Sequence, residues 1–312
     1  MTESYNGLAF MSSLEVAVAI VRKLDLEEFK LLKVFVSAMK HHESLTREQI
    51  VNYSKQHRDY VDYRIRRLHE MKLLGKTEAG YTLLMAGLDA IALKILADKD
   101  VIVGMGKPIG IGKESDVIKA VTPSGEERAI KFFRIGRISF RDVRRKRTYK
   151  DNEGIHNWLL INIEAAKKEY RILHALKSTG IRIPTGYYRA MHCIVMNNIC
   201  GSRLVDQKKL RRPALILQSI LSDLRTCYNN DIINCDVSEY NTVLDVNDNI
   251  WIIDWPQAVS RKHPNADELI KRDVFNIVNF FNRRFGTRKD VEEALEEVIT
   301  PFSPSPAPRP SI

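Results

Sequence analysis

The chain has 312 residues, enough for a small domain beside a two-lobed one, and no apolar run approaching the roughly 20 residues that span a bilayer. Its 49 Lys and Arg against 39 Asp and Glu leave a net charge of +10, which suits an anionic partner. The four cysteines, Cys193, Cys200, Cys227 and Cys235, show no C-x-x-C spacing, which argues against a zinc site or disulfide framework; with no visible signal peptide, a reducing cytoplasmic location is expected.

Residues 1–96 read as helix-rich. Leu26-Glu27-Glu28-Phe29 opens one helix, with Phe29, Leu32 and Val36 on one face. Thr46-Arg47-Glu48-Gln49 is a capping box that starts a second. Val61, Ile65 and Leu68 mark the buried stripe of a third, with Tyr60, Arg64 and Arg67 opposite. Gly75-Lys76 and Gly80-Tyr81 bracket a hairpin, and Met85 to Ala97 forms a last helix. Three helices and a hairpin suggest a winged helix. An aromatic and two arginines on its third helix suit a nucleic-acid reader, and equally a solvated face.

Residues 97–199 carry the next set of signals. Ile109-Gly110-Ile111-Gly112-Lys113-Glu114-Ser115-Asp116-Val117 reads as strand, turn, strand, with glycines where backbone amides can cradle phosphates. Arg128-Ala129-Ile130-Lys131-Phe132-Phe133 then sets a Lys inside an apolar strand, where burial demands an anionic partner. Arg134, Arg137, Arg141, Arg144, Arg145, Lys146, Arg147 and Lys150 crowd one segment that runs into a basic loop, residues 136–158, suited to RNA phosphates and also to plain solvation. Ala166, Tyr170 and Leu173 recur at helical spacing, and Glu169 beside them is the candidate ion-pair partner of Lys131. Cys193 to Met196 reads as an apolar strand, and residues 197–201 as a hinge.

Residues 200–298 hold the strongest signal. Ala214 to Asn229 reads as a helix. Asp236 and Asn241 then stand five positions apart on a loop, and Asp254 ends the apolar strand Ile250-Trp251-Ile252-Ile253. Alone, that spacing fits a turn as well as a site. After a glycine turn and a strand lysine it fits phosphoryl transfer, with Asp236 as the base that orients the attacking group and Asn241 and Asp254 as oxygen ligands for magnesium. A helix from Arg272 to Phe281 follows, on which Asp273 suits bracing of the catalytic loop and equally a capping or surface carboxylate. Residues 299–312 are a Pro-rich tail for which disorder is expected.

The chain resembles the RIO atypical protein kinases, in the Rio-two branch and of archaeal type. The resemblance rests on Gly110-Ile-Gly112-Lys113-Glu114-Ser115-Asp116-Val117, Ile130-Lys131-Phe132, the basic loop, Ile253-Asp254-Trp255-Pro256-Gln257, and His263-Pro264-Asn265-Ala266 leading to Arg272-Asp273-Val274. It implies an α+β protein: an N-terminal winged helix plus a two-lobed kinase-like domain without an activation loop. It implies ATP contacts from Gly110, Gly112, Lys113, Glu114, Ser115, Val117, Lys131 and Glu169, and adenine held by Met196 and Ile199. It implies ATP and Mg2+ as cofactors, with Mn2+ as a substitute. It also implies phosphate passing through Asp254, and action in maturation of the small ribosomal subunit. The partners expected are a small-subunit precursor and ribosomal RNA, contacted by Arg137, Arg141, Arg144, Arg145, Lys146, Arg147, Arg64 and Arg67, with no membrane. Family members usually carry His and Gly before the catalytic Asp; here Asn234 and Cys235 stand there. That departure keeps alternatives open: a nucleotide-sensing pseudokinase that holds nucleic acid through its winged helix, or a small-molecule phosphotransferase of the aminoglycoside-kinase type.

Overall fold

The structure is a computed structural model that describes residues 12–136 and 158–301. The chain divides into two compact units, residues 1–167 with 187–196 and residues 168–186 with 197–312.

The first unit opens with helices α1 (Ser13–Ile20), α2 (Leu26–Ala38), α3 (Arg47–Ser54) and α4 (Arg58–Glu70). Ser12 with Glu15, Asp25 with Glu28 and Thr46 with Gln49 each close a reciprocal capping box, so α1, α2 and α3 start where their orphan amides are satisfied. The wing is the hairpin β1 (Leu74–Thr77) and β2 (Gly80–Leu83), and α5 (Met85–Asp98) follows. Gly80 is required: it sits at φ +136°, and a Cβ there would lie 2.2 Å from the Leu45 carbonyl oxygen, against which Tyr81 pairs. The winged helix expected from the sequence is therefore present. The sequence reading lacked α1, whose Leu14, Val16, Ala17 and Ile20 are buried and which packs on α5.

The outward face assigned to α4 needs correction. Val61, Ile65 and Leu68 are buried as expected, and Tyr60 is exposed. Arg67, however, lies 3.0 Å from the carboxylate of fully buried Glu28 and also donates to the Lys23 carbonyl. Arg64 donates to the Gln56 side chain at 3.0 Å. An unpaired Glu28 would be costly to bury, so Arg67 tilts inward along its helix; Arg66 and Tyr63 face solvent instead.

The same unit continues into a five-stranded sheet. Its strands are β3 (Gly104–Ile111), β4 (Ser115–Val121), β5 (Glu127–Phe133), β6 (Gly186–Ala190) and β7 (Cys193–Asn197), in the order β3-β4-β5-β7-β6. The helix α6 (Trp158–Leu176) lies in sequence between β5 and β6. One apolar core joins helices to sheet through Leu96, Ile102, Ile118, Ile130, Phe132 and Val195. The basic residues expected to contact RNA between positions 137 and 150 fall outside the described residues, as do positions 302–312 of the tail.

The second unit holds β8 (Gly201–Arg203), α7 (Pro213–Asn229), β9 (Ile232–Ile233), β10 (Thr242–Asp245), β11 (Ile250–Ile252), β12 (Val259–Ser260), α8 (Ala266–Phe285) and α9 (Val291–Ile299). Pro213 begins α7, where a missing amide costs nothing. Gly286 at φ +68° ends α8. Strands β11, β10 and β8 form one small antiparallel sheet and β12 pairs with β9 in another. The core beneath them is Leu217, Ile220, Leu224, Trp255, Val274 and Phe281. Residues 255–265 carry the chain from Asp254 to α8, too short a span for an activation loop. Among the described residues no helix is long and apolar enough to cross a membrane.

Candidate active site

The glycine turn joins β3 to β4. Strand β3 is a sheet edge with register shifts on both sides of Pro108, a residue that only an edge strand tolerates well. Gly112 donates its N–H to the Ser115 carbonyl at 2.8 Å, which closes the turn around Lys113 and Glu114. Neither Gly110 nor Gly112 has a positive φ, so the backbone does not demand glycine at either position. A Cβ at Gly110 would meet nothing within 4 Å, so glycine there leaves room on the outer side of the strand. Ile109 and Ile111 flank it and are exposed. An apolar, open strand edge with bare backbone is a surface on which a nucleotide can lie close to the amides. Val117 pairs directly with Lys131 of β5. Lys131 is only 5% exposed, with Nζ 5.0 Å from the Phe133 ring centre. Met196 is buried on β7.

In the second unit a short loop between β9 and β10 holds Asp236 and Asn241. The Asn241 Nδ2 donates to the Asp236 carboxylate at 2.7 Å and to its carbonyl at 3.0 Å. That commits the amide nitrogen to Asp236 and leaves the amide oxygen as the group for a hard cation. The Ile253 N–H donates to the Asn241 carbonyl, which brings the end of β11, and Asp254 after it, beside the loop. Partial burial, and then repulsion from Asp254, push the Asp236 carboxyl above the usual carboxylate range against the opposing Asn241 hydrogen bond and Arg272. Two crowded carboxylates and an amide oxygen form an all-oxygen donor set, which fits magnesium and not zinc.

The residue that ties these parts is Asn234, which is 1% exposed. Its Nδ2 donates to the Asp254 carbonyl at 2.8 Å, and its Oδ1 accepts the Asp236 N–H at 3.0 Å. One amide thus spans both carboxylate-bearing segments, with donor and acceptor each used. Cys235 adopts φ +67°, a left-handed conformation that strains any residue with a Cβ. Surrounding bonds hold it there: its N–H reaches an Asp273 oxygen at 2.7 Å, and its carbonyl accepts from Arg272. The other Asp273 oxygen takes the Val237 N–H at 3.2 Å, so Asp273 braces the loop as the sequence suggested. Burial pushes the Asp273 carboxyl up to about 7 in spite of those hydrogen bonds. It likewise pushes the Cys235 thiol up to about 11, so the sulfur is an inert neighbour and not a nucleophile.

The structure therefore gathers Asp236, Asn241 and Asp254 in the second unit, and Gly110, Gly112, Lys113, Glu114, Ser115, Val117, Lys131 and Met196 in the first. Glu169 lies fully buried on α6, and Ile199 is half-buried after β7. The bridging role of Asn234 was missed from sequence. The signal available was an amide two positions before the catalytic Asp, but only the fold shows that its side chain bonds the backbone of both Asp236 and Asp254.

Two family models match, a RIO domain over residues 116–294 and a Rio2 N-terminal domain over residues 21–99. The chain is 31% identical over 266 residues to a RIO-type serine/threonine-protein kinase Rio2 of Methanocaldococcus jannaschii, covering 84% of this chain and 98% of that one. It is 32% identical to the Dictyostelium discoideum serine/threonine-protein kinase rio2, covering 85% of this chain but only 52% of that longer protein. Among solved structures it matches a Chaetomium thermophilum Rio2 kinase–ADP/Mg2+–phosphoaspartate complex with TM-score 0.77 and 27% identity, over 91% of this chain and 90% of that one. With a winged helix, a glycine turn, a buried strand lysine and an Asp–Asn–Asp knot in place, the chain belongs to the RIO-type serine/threonine-protein kinases, in the Rio2 family.

Proposed function

We propose that this protein is an ATP- and magnesium-dependent kinase with substantial ATPase activity, acting in the cytoplasm on maturation of the small ribosomal subunit. The observation that carries the chemistry is the knot of Asp236, Asn241 and Asp254 fastened by Asn234. Asn241 and Asp254 would hold the cation, which when bound neutralises phosphate charge. Lys131 and the amides from Gly110 to Ser115 bind the phosphates. Val117, Met196 and Ile199 hold the adenine side. Asp254 offers its carboxylate as phosphate acceptor, in keeping with the phosphoaspartate of the Chaetomium relative. In that step a carboxylate oxygen bonds to the γ-phosphorus as the bond to ADP breaks. Asp236 then orients water and takes its proton as the aspartyl phosphate is hydrolysed.

The ribosomal role is supported by the net charge of +10 and by the basic run through Arg144, Arg145 and Arg147. Four unpaired cysteines, three of them buried, fit a reducing compartment. A single-turnover assay with γ-labelled ATP, with and without purified small subunits, tests the whole reading. Turnover that responds to subunits supports it. No turnover in either case would leave a nucleotide-sensing binding module, a reading that the strained Cys235 beside Asp236 favours.

A further inference from the structure

Arg134 follows β5 directly and is 2% exposed, the most deeply buried arginine among the described residues. Its guanidinium forks onto Asp89, with Nη1 2.7 Å from Oδ1 and Nη2 3.1 Å from Oδ2. Its Nε donates to Asp116 at 3.0 Å, and its backbone N–H donates to the Glu114 carbonyl at 2.6 Å. His192 completes the cluster, with Nε2 2.8 Å from Asp89 and 3.0 Å from Arg134 Nη1. Asp89 and His192 are fully buried and Asp116 is 5% exposed.

Two facts set this cluster apart from ordinary core packing. Burying several charges is a poor way to gain stability, because apolar replacements often do as well; what such a cluster supplies is a fixed geometry. It also joins segments matched by two different family models, Asp89 from the N-terminal domain and Asp116, Arg134 and His192 from the RIO domain. The geometry it fixes is that of the glycine turn. With the fork seated on Asp89 the guanidinium plane cannot rotate, so Nε is aimed at Asp116, which pairs with Ile111 on one side and Phe132 on the other. The Arg134 backbone meanwhile holds Glu114, inside the turn. Strand β3, an edge with two register shifts, gives the turn little support of its own.

We propose that Asp89, on α5 of the N-terminal domain, is a positioning residue for the phosphate-binding turn and acts on it through Arg134. The N-terminal domain is then a structural part of the nucleotide site as well as a docking module. The inference rests on the nucleotide reading of that turn.

Asp89→Asn suits the test. Burial pushes His192 down, against the Asp89 carboxylate. Arg134 bonds two carboxylates in the wild type, and the amide at position 89 leaves it the one on Asp116. The shape is kept and Arg134 retains Asp116, while the fork is lost. In the full-length protein, Asp89→Asn is expected to raise the Kd for ADP–Mg2+ and the KM for ATP by about fivefold or more, the range of ordinary site coupling. The kcat at saturating ATP should stay within about twofold. Hydrogen exchange at the Gly112 and Arg134 amides should quicken while that of Ile50 in α3 does not. If Asp89→Asn does not fold, Arg134→Lys, which keeps the charge and breaks the fork, carries the same readouts. A folded variant with wild-type Kd and wild-type exchange at Gly112 overturns the inference. Lys131→Ala serves as control: wild-type affinity there as well would mean the nucleotide reading itself has failed.

Discussion

The glycine turn of the first unit and the Asp236 loop of the second are built on opposite principles. The turn is open: Ile109 and Ile111 face solvent, Gly110 leaves space above it, and its support comes from below through Arg134. The Asp236 loop is cross-braced by side chains bonded to backbone, from Asn234, Asn241, Arg272 and Asp273. The difference follows from the tasks. Binding a nucleotide needs exposed amides and room to approach. Transferring a phosphoryl group needs two carboxylates held to fractions of an ångström, since small misplacements are costly in rate. Substitutions in the loop should therefore act mainly on turnover, and substitutions around the turn mainly on affinity.

The largest effect is expected at Asp236. Asp236→Ala leaves Asn241 and Asp254 in place, so ATP–magnesium binding should be near normal while steady-state hydrolysis falls roughly 100-fold or more. Equal losses of binding and turnover would break the contrast between loop and turn. Lys131→Ala should do the reverse and weaken nucleotide binding far more than substitution of exposed Lys119, read by calorimetry. Unchanged affinity in that variant would contradict the assignment of the strand lysine.

Asn234→Ala should come next. It removes the bridge and leaves the half-buried Asp254 carbonyl without that donor, so turnover should drop roughly 10- to 100-fold and stability by about 1–3 kcal/mol, while ADP affinity stays close to wild type. A fall in affinity alone would show that Asn234 serves the nucleotide and not the knot. Cys235→Gly acts in the opposite direction. Relief of a left-handed Cβ should stabilise the protein by about 1 kcal/mol, measured as a higher denaturant midpoint with an unchanged slope.

What the sequence could and could not show divides along the same line. The winged helix, the hairpin, the Thr46 cap and the brace from Asp273 were legible because each depends on local spacing or a short motif. Helix α1 was not, being eight residues whose apolar pattern gains meaning only against α5. The outward placement of Arg67 failed because helical phase assigns a face but cannot reveal that Glu28, far off in sequence, lies buried and in need of a cation. The Arg134 cluster and the Asn234 bridge were invisible for the same reason: their partners meet only in the folded chain. Arg134 even read as part of the basic run, although it is the one arginine of that run shown in the structure and it points into the core.

An effect on stability alone is expected at half-buried Asp223 in the second unit, outside both regions, and marks the background against which they are measured. Burial pushes the Asp223 carboxyl up to about 6, against the opposing Arg182. Its Oδ2 is buried with no hydrogen-bond partner among the described residues. A raised folded pKa means that the folded protein holds its proton where the unfolded chain releases it. Stability should therefore decline as pH rises from about 4 to about 6 and then level off. Asp223→Asn should flatten that decline and stabilise the protein at pH 7 by at most about 3 kcal/mol, with kcat unchanged. A steeper decline in the variant would reverse the sign and refute the assignment.

The central claim is the division of labour between the two carboxylates, and acid-quenched phosphoenzyme trapping tests it most directly. Wild-type protein, Asp236→Ala and Asp254→Ala would each be mixed with γ-labelled ATP and magnesium, quenched in acid, and assayed for hydroxylamine-labile label on the protein. The account predicts a phosphoenzyme in wild type, a larger accumulation in Asp236→Ala because hydrolysis has lost its base, and none in Asp254→Ala. Label that persists in Asp254→Ala, or that vanishes in Asp236→Ala while ATP still binds, would contradict it.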